Sequence, residues 1–201
     1  MRAAAPALEE MLDHRGRLRA RTASGLTHEQ AHLGMAFHEA GHAVLAMAYG
    51  MHVLNAEVIA WISSPDQSTV TGRTSFEARP QDIHPWRFAA QAAAGQVAQV
   101  HYLMAYGLWT PQRAVHCAAD HDRQQAIDVL ATYGYRLGRD HVPVGGKSWG
   151  MVRGMARRKV ARLWREIRTV AHALDERSLL IGDEIAALSR MTNTPAPGSV
   201  S

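Results

Sequence analysis

The chain has 201 residues, of which 47% are apolar, with a formal charge of +4 and a single cysteine. That length can bury a core without staples, the apolar share excludes a disordered chain, and a lone Cys117 excludes an internal disulfide framework and fits a reducing, cytoplasmic setting. No uncharged apolar run of about 18 residues occurs, so no integral membrane segment is expected, and residues 1–23 lack the apolar centre of a signal peptide.

Residues 1–24 read as a polar, Arg-rich lead-in with a short helix around Ala7–Arg19. Thr27 is a good N-cap, with Gln30 completing a capping box, and opens a helix expected to run to about Tyr49, where Gly50 stops it. Val53–Ser63 and Thr69–Phe76 are rich in branched and aromatic residues and read as two strands, joined by turn chemistry at Ser64-Pro65-Asp66-Gln67. After a loop from Pro80 to Pro85, one helix is expected from Trp86 to Gly107, with small residues at 89–95 suited to close packing. Leu108–Val115 reads as a loop, and Ala118–Tyr133 as a helix. Gly134–Trp149 is Gly-rich and irregular. A long basic helix is expected from Arg153 to Leu174, then a last helix at Gly182–Ser189 and a disordered tail over 191–201. The fold class that follows is mainly α with a small β-sheet (α+β), with 25–190 as one domain.

The most informative chemistry lies in the first helix. His38-Glu39-Ala40-Gly41-His42 places two imidazoles four residues apart, about 40° from each other around a helix, so both can grip one zinc ion. Glu39 is placed to take a proton from a zinc-activated water. Gly41, in mid-helix, lets another backbone or a metal approach closely. The same pattern occurs a second time at His28-Glu29-Gln30-Ala31-His32. Ten residues separate the copies, so they point about 80° apart. The first copy is polar and near a helix end, and reads as a solvated first turn. The second is embedded in apolar sequence and is the metal candidate. The twelve histidines of the chain add to the expectation of metal.

A zinc hydrolase needs a third protein ligand and an open position for water. His116-Cys117-Ala118-Ala119-Asp120-His121-Asp122 offers imidazole, thiol and carboxylate within seven residues. From the residues alone His116, Cys117, Asp120, His121 and Asp122 all stay open. Two other features read as bland. Gly145-Gly146-Lys147-Ser148 resembles the end of a phosphate-binding loop, but His141 stands where that loop needs Gly, and no strand precedes it. Arg153, Arg157, Arg158, Lys159, Arg162 and Arg165 spread around a helix as a solvated face does, so nucleic-acid binding is the weaker reading.

Ala36-Phe37-His38-Glu39-Ala40-Gly41-His42-Ala43-Val44 resembles the zinc-motif helix of the FtsH-type peptidase domain. Three further stretches match in the same order: Ala94–Gln99 resembles that family's G-G-R-x-A-E segment, Ala118–Ala126 its G-A-x-x-D-x-x-x-A segment, and Leu174–Ile185 its closing L-x-x-x-x-x-L-x-G-x-E-I region. The resemblance spans about residues 33–190. It implies a zincin-like active-site helix on a short sheet followed by a helical bundle, with Zn2+ held by His38, His42 and Asp122 and with Glu39 as general base. Asp120 is the second choice for the third ligand. The chain departs from the family where Gln99 replaces a Glu and Ala replaces some glycines. The family joins its peptidase to an ATPase module and usually to membrane helices, and neither occurs in these 201 residues. The implied activity is therefore a zinc metalloendopeptidase acting on peptides or unfolded protein, with a separate ATPase or unfoldase supplying clients. The alternative is a catalytically inactive metal-binding regulatory or interaction module of the same fold.

Overall fold

A computed structural model describes residues 12–18, 24–64, 67–78, 82–117 and 119–198. The first helix, α1 (His28–Ala48), begins at Thr27, whose side chain accepts from the Gln30 N–H while Gln30 Oε1 accepts from the Thr27 N–H. The anticipated capping box is therefore formed. Every residue from Ala36 to Met47 is buried, so this half of α1 is covered on all sides rather than along one stripe.

Its covers arrive from both ends of the chain. The hairpin of β1 (His52–Ser64) and β2 (Gln67–Glu77) is antiparallel, with Ala56 opposite Thr74 and Val58 opposite Gly72. These are the two expected strands; turn residues 65 and 66 lie outside the described residues. A third strand that the sequence reading missed, β5 (Leu179–Ile181), pairs antiparallel with Asn55–Glu57. The sheet order is β2-β1-β5, so β1 is central and β2 forms an edge. The mainly helical α+β class holds.

The helices differ from expectation at their breaks. The single helix anticipated over 86–107 is two, α2 (Pro85–Ala92) and α3 (Ala94–Ala105), divided at Ala93. The division falls where the backbone of residue 94 presses on Gly41 of α1, a tertiary constraint that leaves no mark in local propensity. The segment 108–115 is not all loop. Thr110 caps a short α4 (Pro111–His116), with Pro111 in the first turn where its missing N–H costs nothing. Next come α5 (Asp120–Thr132) and two short parallel strands, β3 (Leu137–Gly138) and β4 (Lys147–Ser148), inside the expected irregular stretch. Lys147 reaches over the Trp86 ring and Ser148 caps the next helix.

The long basic helix is also two, α6 (Trp149–Arg162) and α7 (Trp164–Arg177). At this break Trp164 stacks on Phe37, with centroids 5.1 Å apart. Phe37 is fully buried and also stacks on Tyr102 of α3 at 5.0 Å. This aromatic cluster ties α1 to α3 and α7. The last helix is α8 (Gly182–Ser189), as expected.

Both ends of the chain are corrected. Residues 12–18 form a turn rather than a helix: Asp13 Oδ1 accepts from the N–H groups of Arg15 and Arg17, and Leu12 bridges to Leu18. The rest of the anticipated helix, 7–11 and 19, lies outside the described residues. Of the anticipated tail over 191–201, residues 191–198 are described and 193–194 are bonded to β1, whereas 199–201 lie outside the described residues. The Asn193 side chain exchanges hydrogen bonds of 2.8 and 2.9 Å with the Val53 backbone, and Thr194 O lies 2.6 Å from His52 Nδ1.

Candidate metal centre

Helix α1 aims His38 and His42 at the first turns of α3 and α5. The two rings lie 4.8 Å apart, centroid to centroid, and their Nε2 atoms are 3.1 Å apart. Asp122, on the first turn of α5, places Oδ2 3.2 Å from each of those Nε2 atoms. Three donors bound at about 2.0–2.1 Å to one tetrahedral ion lie roughly 3.3 Å apart. The observed triangle is within a few tenths of an ångström of that spacing, and its two imidazoles and one carboxylate are a donor set that suits zinc. These three residues could therefore hold a metal ion, and they form a buried group able to do so among the described residues.

Glycines make the close approach possible. A Cβ on Gly95 would stand 2.3 Å from His42 Nε2 and 2.5 Å from His38 Nε2. Any side chain at 95 would thus enter the space between the donors. A Cβ on Gly41 would meet Ala98 Cβ at 2.7 Å and the Ala94 carbonyl oxygen at 2.8 Å, rather than the donors of the triad. It serves the approach of a neighbouring backbone, one of the two roles expected for it.

Each imidazole is oriented through its other nitrogen. His42 Nδ1 donates to the Gln91 carbonyl at 2.9 Å, and Gln91 Nε2 returns a bond to the His42 carbonyl at 3.4 Å. His38 Nδ1 donates to Gln99 Oε1 at 3.2 Å. Such partners fix the tautomer so that Nε2 faces the metal. Sequence reasoning named none of them. One signal for Gln99 was present, since it stands where the FtsH-type segment carries Glu.

Glu39 is 4% exposed, and its Oε2 accepts from Thr74 Oγ1 at 2.8 Å. Gly72, on the same edge strand, leaves space for the carboxylate, because a Cβ there would lie 2.5 Å from Oε1. The β-hairpin therefore meets α1 at this acid.

The electrostatics follow from burial and proximity. Burial disfavours a charged imidazole at His42, but the Asp122 carboxylate outweighs it and the pKa is pushed up to about 9. Burial alone would raise Asp122; the His42 charge and the hydrogen bonds from both imidazoles hold it well below the usual carboxylate range. Without metal, the centre is thus an ion pair between a protonated His42 and the Asp122 carboxylate.

The other candidates are placed elsewhere. Asp120 is exposed and pairs with Arg123 at 2.5 Å. The Cys117 thiol bonds the Arg113 carbonyl, and burial pushes its pKa up to about 12, away from the thiolate a metal needs. His121 approaches the other Asp122 oxygen at 3.2 Å. His116 lies on α4 outside the triad. In the first copy of the motif, His32 is not a solvated residue: it is half-buried and its Nδ1 lies 2.7 Å from Asp175 Oδ1. The basic loop at 145–148 ends by capping α6.

Compared with protein-family models and with curated proteins, the chain finds no match. Among the described residues no helix is long and apolar enough to cross a membrane.

Proposed function

We propose that the chain is a zinc-dependent metalloendopeptidase of the FtsH-type kind, acting on peptides or unfolded protein. One observation carries the reading: two imidazoles and a carboxylate from distant parts of the chain converge within 3.2 Å, with Glu39 one residue from His38. His38, His42 and Asp122 hold the ion. Zinc, when bound, supplies Lewis acidity that lowers the pKa of a water towards about 7 and polarises a carbonyl oxygen. Glu39 takes the proton of the attacking water on its carboxylate and returns it to the leaving amine. Thr74 fixes the rotamer in which Glu39 does this. Strand β2 has β1 on one side and no described strand on the other. Its open edge can receive an extended peptide by strand addition, next to the acid it contacts. A separate ATPase would feed folded clients to such a site. The buried, unpaired Cys117 suits a reducing compartment, in keeping with cytoplasmic action.

A metal-holding module without hydrolysis is the second reading, favoured by the burial of Glu39 against Thr74. Glu39→Gln separates the two. It should keep zinc and lower cleavage of unfolded casein by about 100-fold or more. Equal cleavage by variant and wild type removes Glu39 as the base. No cleavage by zinc-loaded wild type leaves the module reading.

A further inference from the structure

Beside the triad lies a second feature, a cavity of about 340 Å³. Gln96 of α3, Val115 of α4, Asp120 and Arg123 of α5, and Trp149 and Arg153 of α6 are among its lining residues, so two guanidinium groups face one carboxylate. Its place in the chain is telling. Gln96 follows Gly95, the residue pressed against both imidazoles, and Arg123 follows Asp122. Two lining residues on separate helices thus follow, by one position, the carboxylate of the triad and the glycine packed against its imidazoles.

The cavity is electrostatically unbalanced. Arg123 bonds Asp120 through one terminal nitrogen, whereas Arg153 makes no ion pair among the described residues. The Nε atoms of both arginines are buried without a hydrogen-bond partner. A buried guanidinium N–H left unmet is costly. Burial first, then repulsion from Arg157 and Arg123, pull the Arg153 pKa below its ordinary value. The first turns of α3, α5 and α6 also end here, and the positive poles of three helix dipoles add to the same sign. The indole of Trp149 and the side chain of Val115 give the cavity an apolar wall, so a bare inorganic anion would leave it half-filled.

We propose that this cavity is a specificity subsite that takes a substrate carboxylate, with Arg153 as its principal partner and Arg123 as the second. The proposal rests on the peptidase reading and names its substrate class: peptides with an acidic residue, or a free C-terminal carboxylate, close to the bond that is cut. The planar fork of Arg153 suits a carboxylate's two oxygens.

The test uses binding, so that it stands apart from catalysis. Zinc-loaded Glu39→Gln protein is titrated, by fluorescence anisotropy, into labelled degenerate hexapeptide pools. One pair of pools differs by a fixed central Glu or Gln, and a second pair by a C-terminal acid or amide. The acid member of at least one pair should bind about tenfold tighter or better, and the pair that responds identifies the source of the carboxylate. Arg153→Gln in the same background should bring the ratio to about one, while Arg162→Gln, on the exposed side of the same helix, leaves it unchanged. Arg153→Lys keeps the charge and should retain part of the preference, which keeps the test open if the Gln variant melts early. Equal binding within both pairs overturns the proposal, whether or not wild type cleaves peptides. So does a preference that survives in folded Arg153→Gln. Failure of wild type to cleave any peptide, with the carboxylate preference intact, counts against the peptidase reading alone.

Discussion

Helix α1 carries the same five-residue pattern twice, and the two copies have opposite fates. In the copy at 28–32 the rings are 6.0 Å apart, and His32 turns to Asp175 of α7. In the copy at 38–42 the rings close to 4.8 Å and meet Asp122. Helical spacing is equal in both, so spacing does not make the difference. Surroundings do. The second copy has Gly95 opposite, a carboxylate arriving on α5, and acceptors at Gln91 and Gln99 behind the rings. The first has a capping role at the helix start and an ion pair from His32 to Asp175. Whether the motif becomes a group that could hold a metal is thus set by what the rest of the fold brings to it.

The strongest way to break the contrast is to fill the space that separates the copies. Gly95→Ala puts a methyl group 2.3 Å from His42 Nε2, so it should abolish stoichiometric zinc uptake, as read by a chelator-competition titration, with every ligand still present. Retention of wild-type affinity would mean that the triad is not the metal site. A smaller effect is expected behind the rings. Gln99→Ala removes the acceptor from His38 Nδ1 and should weaken zinc binding by about 10–100-fold. An unchanged dissociation constant would show that this contact does not position the ligand.

The pH dependence, at most about tenfold per unit, has a definite sign. In the metal-free protein His42 holds its proton up to about pH 9, so zinc must expel that proton at lower pH. Affinity should therefore rise with pH by at most about tenfold per unit and level off above about 9, with one proton released per zinc near neutrality, measurable by calorimetry in buffers of different ionisation enthalpy. The same pair affects folding. Because the pKa of His42 is raised from 6.5 in the folded state, its contribution to metal-free stability is complete below pH 6.5 and disappears as pH climbs through about 9. Metal-free protein should lose stability across that window, and zinc-loaded protein should not. A flat metal-free profile would contradict the His42–Asp122 pairing.

Much of this was legible before any coordinates. The Thr27 cap, the Gly50 stop and the branched residues of β1 and β2 are local signals, and local signals survive folding. The imidazole pair was legible because helical period alone places both rings on one side. The breaks at Ala93 and Leu163 were not, since neither carries proline and both answer to packing: one to the contact with Gly41, the other to Trp164 lying flat on Phe37. The short helix after Thr110-Pro111 does carry local signals, a capping Thr110 and a proline in the first turn, but its six residues are too few for a helical period to show. β5 has three residues and exists through its pairing with β1. Gln91 acts through its backbone carbonyl, which no residue type advertises.

The most direct measurement is zinc content by mass spectrometry on wild type, Asp122→Ala and His32→Ala after metal loading and desalting. About one zinc per chain is expected in wild type and in His32→Ala, and none in Asp122→Ala. Full zinc in Asp122→Ala, or its loss in His32→Ala, would contradict the assignment of the metal to the second copy of the motif.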